Sequence, residues 1–255
     1  MQNTGVAITQ SPSNQAAKSP SRQDVHRMFD RIARRYDLLN RILSLGQDIV
    51  WRKKLAGILN KNQCQDILDL ATGTADVLLS AHRYNRSMRI GVGVDLAREM
   101  LQVGRRKLAK ANLSEKTLLL KADALSVPVA DNSFDAITIS FGIRNVVDVH
   151  KALKEMWRVL KVDGRTLILE FALPPKPWLR RIFLIYLRNI IPFIGGIVSG
   201  NKHAYRYFNE TVETFSYGEE FVQLMKEAGF REVKIHSLSF GVAAIYEGVK
   251  RAGDK

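Results

Sequence analysis

The sequence predicts an α/β domain whose parallel sheet is covered by helices on both faces. Apolar runs of strand length alternate with helical stretches from about residue 67 to 171. A Gly-containing turn, Ala71-Thr72-Gly73-Thr74, follows the first run, and two further strand-like runs meet around Gly241 near the chain's end. Repeated strand–helix units build a parallel sheet, because each helical crossover carries the chain back to start the next strand from the same end.

In order, Val25, Met28, Phe29, Ile32 and Tyr36 recur at helical spacing, so residues 24–37 form an amphipathic helix. Trp51, Leu55 and Ile58 repeat the pattern in a second helix. Both precede the first strand and are placed to form a lid, over about residues 24–60. Strand one spans 67–70 and is followed by a helix over 75–83; strand two spans 90–94 and is followed by a helix over 98–110. Strand three is 118–120. Strand four is 136–140, followed by a helix over 149–160. Asp163-Gly164 turns into strand five, 166–171. Residues 174–215, rich in Pro, aromatics and aliphatics, form an insertion that supplies a second piece of lid. A helix over 217–228 and a hairpin of strands 232–238 and 243–249 complete the domain.

Residues 1–22 are small and polar, a disordered tail ahead of a single domain over 23–255. They hold neither a signal-peptide apolar core nor the Arg-rich face of a transit peptide. No run reaches the ~20 apolar residues of a spanning helix. The single cysteine, Cys64, excludes an internal disulfide and fits a reducing cytoplasm; no His/Cys cluster suggests a metal. The net charge of +14 calls for an anionic partner: nucleic acid, a phospholipid surface or an acidic ligand.

Ligands of open α/β sheets bind at the carboxyl ends of the strands. Asp69 to Asp76 stand there, at the end of strand one, and Gly73 lets backbone approach a ligand closely. Asp95 ends strand two, where a carboxylate can accept both hydroxyls of a ribose. Asp123-Ala124 follow strand three, where an acid and a small neighbour can recognise an adenine edge. Each residue alone suits a plain turn or cap; three acids at successive strand ends are harder to explain as packing. A nicotinamide site would need G-x-G-x-x-G here to hold a pyrophosphate, and only Gly73 is present. An adenosine without pyrophosphate fits better, and S-adenosyl-L-methionine is one.

The sequence resembles the UbiE/MenG family of ubiquinone/menaquinone biosynthesis C-methyltransferases from about residue 24 to 250. The resemblance lies in Tyr36-Asp37-Leu38-Leu39-Asn40, Ser44-Leu45-Gly46 with Trp51-Arg52, and Leu68-Asp69-Leu70-Ala71-Thr72-Gly73-Thr74. It continues in residues 138–146, around Phe141-Gly142-Ile143-Arg144-Asn145, then Arg158-Val159-Leu160-Lys161, Leu169-Glu170-Phe171, Tyr205-Arg206-Tyr207 and Gly241-Val242-Ala243-Ala244. It implies the seven-stranded Rossmann-like fold of class I methyltransferases, S-adenosyl-L-methionine as donor and a prenylated quinol precursor as acceptor. It also implies cofactor contacts from Thr74, Asp95, Asp123, Ala124 and Ser140, with Asp69 and Gly73 shaping the pocket. The chain departs from the family in Ala75, where a second glycine is usual and a methyl could narrow the cofactor's approach. Val162-Asp163 replace Pro-Gly, and Ser216 replaces a common proline.

Carbon methylation needs a nucleophilic ring carbon held in line with the S–CH3 bond, a partner for the ring oxyanion, and exclusion of water. Arg144 and Asn145 follow strand four, beside the expected methyl. Arg144 is assigned to the quinolate and Asn145 to a water or hydroxyl, since Arg is too basic to take the proton itself. Pairing of Arg144 with a structural acid is the competing reading. Tyr36, Asp37, Asn40 and Tyr207 are expected to line the quinol pocket, with His203 a weaker candidate.

The region from Arg22 to Lys54 holds nine Lys/Arg against four acids, and no acid occurs between Glu170 and Glu210. Interleaved with Trp178, Phe183, Tyr186 and Phe193, this charge suits an anionic bilayer. The expected partners are a prenylated quinol, an anionic membrane surface at the inner face of the membrane, other quinone-biosynthesis enzymes and a second copy as a homodimer. Nucleic acid is not among them. An RNA methyltransferase on this fold would share the charge, but no appended RNA-binding module and no Asn/Asp-Pro-Pro-Tyr/Phe motif occurs. A non-catalytic scaffold that binds cofactor and membrane remains a third alternative.

Overall fold

The structure is a computed structural model that describes residues 25–194 and 202–253, and only the backbone of 202–206. The predicted tail and the side chain of His203 lie outside the described residues. Helices α1 (Val25–Leu43) and α2 (Gln47–Lys61) come first. Then β1 (Asp66–Leu70), α3 (Asp76–Tyr84), β2 (Ile90–Asp95), α4 (Arg98–Lys110) and β3 (Thr117–Lys121) alternate. They are followed by β4 (Phe134–Ser140), α5 (Val149–Val159) and β5 (Leu160–Phe171). The insertion forms α6 (Pro177–Ile185), which continues through a π-helical turn over Tyr186–Ile190, and α7 (Lys202–Thr214). Helix α8 (Glu219–Glu227), β6 (Arg231–Leu238) and β7 (Ala243–Val249) end the domain.

The seven strands lie in the order β3-β2-β1-β4-β5-β7-β6. All neighbours are parallel except β7, which runs antiparallel to both β5 and β6. Strand order reverses between β1 and β4, and that switch point opens the crevice in which such sheets bind ligands. Alternate side chains of buried strands feed opposite layers. Ile67, Leu167 and Leu169 pack under α2, α3 and α4. Leu68, Leu70, Ile137 and Ile168 pack under α5 and α8. A third cluster joins Leu39 of α1 to Phe183 and Leu187 of the insertion and to Tyr207 and Val212 of α7.

Several element boundaries differ from the sequence reading, and three of the differences have a clear physical reason. Helix α1 runs six residues past 37 because Leu39 is buried and Leu43 is partly buried, so its apolar period continues. Helix α8 starts at Glu219, not 217, since Gly218 adopts φ +67 and gives its N–H to Tyr246 Oη at 2.7 Å. The Asp163-Gly164 turn lies within β5 as a bulge: Phe134 pairs with Leu160 and Ala136 already with Arg165. There Asp163 sits at φ +61.

Candidate active site

Left-handed backbone collects where the two central strands end. Ala71 (φ +47), Gly73 (φ +55), Ala75 (φ +63) and Phe141 (φ +56) follow β1 and β4. Only glycine takes this conformation without strain, and such strain concentrates at functional sites. A Cβ on Gly142 would lie 2.6 Å from the Ala71 methyl, so glycine there lets the β4 loop close against the β1 loop. Ala75 is fully buried and its methyl packs toward Gly104 of α4, not into the crevice. The expected narrowing of the cofactor's approach therefore does not arise; the departure leaves backbone strain instead.

The crevice holds two cavities. One, about 270 Å³, is lined by Gly73, Asp95, Asp123, Ala124 and Ser140, as the sequence predicts. Asp95 accepts the Gly73 N–H at 2.8 Å and the Ala97 N–H at 2.8 Å, tying the glycine turn to the end of β2. Burial raises its carboxyl above the ordinary range, and these backbone donors oppose the rise. Asp123 accepts the Leu125 N–H at 2.9 Å.

Asp69 and Thr74 do not line this cavity, the first as a residue expected to shape it and the second against its expected contact. Asp69 sits beneath the turn, fully buried, accepting hydroxyls from Thr72 at 2.7 Å and Thr138 at 2.6 Å. Burial pushes its carboxyl up to about 7. It shapes the turn without lining the cavity. Thr74 Oγ donates to Asp37 Oδ1 at 2.6 Å, away from the cavity, because α1 lies against the turn. Asp37 also pairs with Lys107 of α4 at 2.7 Å, so it does not line the apolar cavity as expected. Lys107 also pairs with Asp76, next to Arg52, and Arg52 pairs with Asp48 at 2.5 Å. This chain of ions joins α1, α2, α3 and α4.

The second cavity, about 290 Å³, is lined by Tyr36, Asn40, Arg144, Asn145 and Tyr207, again as predicted, among a wall of apolar side chains. That wall includes Trp51, Phe141, Phe171 and Phe208; the first three lie in the motifs that carry the resemblance, but the sequence reading assigns none of the four to the pocket. The Phe141 and Phe171 rings lie 4.6 Å apart, tilted by 38°, and Phe171 meets Phe208 edge-on at 5.3 Å. Phe29, Tyr36, Phe141 and Asn145 line both cavities. The two spaces therefore abut across a partition only one side chain thick.

Arg144 is buried, and its Nη1 donates to Glu170 Oε1 at 2.6 Å and to Phe141 O at 2.7 Å. The structural acid weighed against a catalytic role is thus present. It is Glu170, itself fully buried at the end of β5, where the strand-end rule could have found it.

A family model described as the ubiE/COQ5 methyltransferase family matches residues 16–250. The chain belongs to the ubiE/COQ5 methyltransferase family. It is 45% identical over 221 residues to a demethylmenaquinone methyltransferase of Thermus thermophilus, covering 87% of this chain and 99% of that protein. It is 40% identical to a ubiquinone/menaquinone biosynthesis C-methyltransferase of Geotalea uraniireducens, covering 89% and 97%. Among solved structures, a [4+2]-cyclase, SpnF, superposes with TM-score 0.66 at 17% identity, covering 92% of this chain and 98% of that one. A possible histamine N-methyltransferase of Thermotoga maritima superposes with TM-score 0.61 at 20% identity, covering 88% and 99%. These two likenesses show the fold.

As a member of the ubiE/COQ5 family the chain is an S-adenosyl-L-methionine-dependent methyltransferase. The first cavity fits that cofactor on its own terms. Ser140 Oγ is buried in its wall without a hydrogen-bond partner. A buried hydroxyl left unpaired is unfavourable, so the site is built for a polar ligand. Among the described residues no His/Cys/Asp/Glu cluster could hold a metal.

Proposed function

We propose that this methyltransferase alkylates a ring carbon of a prenylated quinol precursor. One observation carries the proposal: an apolar, aromatic-walled cavity abuts the cofactor cavity across Phe29, Tyr36, Phe141 and Asn145. An RNA base would call for an open, basic approach, and a small polar acceptor would not need this wall. The Thermus relative, named for demethylmenaquinone, supports a naphthoquinol as the first acceptor to test. The Geotalea relative, named for both quinones, keeps the polyprenyl methoxybenzoquinol in the comparison.

Asp95 would accept the ribose hydroxyls, Asp123 and Ala124 would meet the adenine, and Ser140 would donate or accept at the cavity wall. Bound S-adenosyl-L-methionine supplies an electrophilic methyl on a sulfonium. Tyr36, Asn40 and Tyr207 hold the quinol, and the aromatic wall excludes water. Arg144 stabilises the ring oxygen as it becomes anionic, through nitrogens that Glu170 leaves unused. Asn145, which reaches both cavities, orients the water that takes the proton.

The acceptor enters from an anionic membrane surface. No helix among the described residues is long and apolar enough to cross a membrane. The outward face of α1 carries Arg31, Arg34, Leu38, Arg41 and Ile42, while its acids turn inward, Asp30 to the Glu99 N–H and Asp37 to Lys107. Leu45 (79% exposed), Trp178 (62%) and Phe240 (87%) also stand out into solvent, and Tyr186 of the insertion donates to Leu43 O beside the apolar cavity. Cations flanking exposed aromatics and aliphatics suit the headgroup boundary.

The test is methyl transfer from labelled S-adenosyl-L-methionine to short-tailed demethylmenaquinol, methoxybenzoquinol and total RNA in parallel. Label on a quinol ring carbon is expected. Label on RNA, or on nothing with the protein folded, would refute the proposal. Binding to vesicles should rise with anionic lipid and fall with salt; indifference to both would remove the membrane half.

A further inference from the structure

We propose that Glu170 is a positioning residue for methyl transfer: it locks the Arg144 guanidinium through Nη1 and cancels its charge beside a cationic donor. The inference rests on the role given to Arg144 above. Glu170 lies outside both cavity walls, so it acts through what it holds, the Arg144 guanidinium first and the Phe171 N–H second.

The geometry is specific. Glu170 Oε1 takes two donors, Arg144 Nη1 at 2.6 Å and the Phe171 N–H at 2.9 Å. The other hydrogen of Nη1 goes to Phe141 O at 2.7 Å. Both hydrogens of one nitrogen are thereby fixed, and the guanidinium lies 5.5 Å from the Phe171 ring and 5.2 Å from the Phe208 ring. A planar group held at three sides cannot swing. Arg144 Nε, buried, has no partner. The fork is held by one nitrogen, with donors left over for a ligand.

Charge supplies the second half. The donor that this family uses is a cation, and its product, the thioether, is neutral at sulfur. A bare guanidinium one residue from Asn145, which lines both cavities, would repel the donor and not the product. Paired with Glu170 it is neutral at a distance. When the ring oxygen becomes anionic, Arg144 faces a second anion and its charge is fully used. Burial pushes the Glu170 carboxyl upward, and Arg144 with the Phe171 N–H holds it back. The other ionisable groups near the pair do not supply this balance. Tyr36 and Tyr246 are both driven upward by burial and stay neutral. Arg52 is matched by Asp48 and Asp76.

The test compares the affinities of S-adenosylmethionine and S-adenosylhomocysteine by calorimetry, with thermal melting as the folding control. Glu170→Gln, which keeps the shape, should weaken the donor relative to the product by about tenfold. The rise of kcat/KM with pH should move to lower pH, since an uncompensated Arg144 favours the quinolate. Arg144→Gln should shift the affinity ratio the opposite way, and the double substitution should restore it without restoring turnover. Should Glu170→Gln fail to fold, Arg144→Gln alone still decides the sign. A ratio unchanged in the folded variants, or unrestored in the double one, overturns the inference. Wild-type protein that methylates no quinol yet shows these shifts would sink the proposed function and leave the charge balance standing.

Discussion

The two abutting cavities are built by opposite means. The cavity proposed for the cofactor is made by strand ends: Gly73, Asp95, Asp123 and Ser140 each stand where a strand leaves the sheet, and backbone groups do much of the holding. The apolar cavity is made by helices α1, α2 and the insertion, with side chains gathered from residue 28 to 242. A sheet edge fixes ligand positions with a few short motifs; a helical cover fixes a shape with many side chains, none of which is decisive alone. Substitutions should therefore act sharply in the first cavity and gradually in the second.

Arg144 sits on the apolar side and should be the exception. Arg144→Ala is expected to lower turnover by about 10²–10³-fold, as loss of an oxyanion partner does, without lowering donor affinity. Single-turnover kinetics beside calorimetry separates the two. Equal loss of turnover and donor affinity would mean that the cavities do not divide the work.

Asp95→Ala should come next. It removes the acceptor that anchors Gly73 and Ala97 and the proposed ribose contact. Donor affinity should fall about a hundredfold, the sum of two or so charge-assisted bonds. Affinity for a short-tailed quinol analogue should stay within a few-fold, measured by fluorescence of the aromatic wall. Parallel loss of both would break the distinction between strand-end and helical construction.

The same contrast explains what was legible in the sequence. Strand ends declare themselves: an apolar run followed by Gly, Asp or Ser marks both the fold and a cavity at the sheet's edge, and five of the seven residues so chosen line it. Thr74 turns away from the cavity because a linear motif does not show which way a side chain points once α1 lies on it, while Asp69 shapes the turn from beneath. Asp37 failed for the same reason, since its partners Thr74 and Lys107 stand 37 and 70 residues away. The aromatic wall is not legible as a wall: Trp51, Phe141 and Phe171 stand in separate motifs and Phe208 in none, and nothing local shows that the four converge. Glu170 stands at a strand end and so meets the same rule, but its partner Arg144, 26 residues away, leaves no local signal.

Helix α1 lines both cavities, so its attachment should affect both at once. Asp37→Ala removes the acceptor shared by Thr74 and Lys107 and leaves Lys107 with Asp76. The pair is part-buried, and its loss should destabilise the seating of α1 by about 1–3 kcal/mol. Hydrogen exchange should quicken across α1 and not across β4 or β5. Uniform protection throughout would mean that packing of Leu39 and its neighbours, not the ion chain, holds the helix down.

The smallest effect belongs to Asp69, beneath the strand-end cavity. Burial holds its folded pKa at about 7 against an ordinary 3.8. Between those values the folded chain carries a proton that the unfolded chain has released. Stability therefore declines as pH rises through that window and levels off above about 7. Asp69→Asn removes this titration but keeps one acceptor for the Thr72 and Thr138 hydroxyls, while its amide must donate to the other. Part of the gain is thus offset, and a net rise of about 1–2 kcal/mol at pH 8, shrinking toward pH 5, is expected from denaturant unfolding. A variant less stable at both pH values would show that the two threonine hydroxyls require a full carboxylate, and that the cavity floor is held by charge.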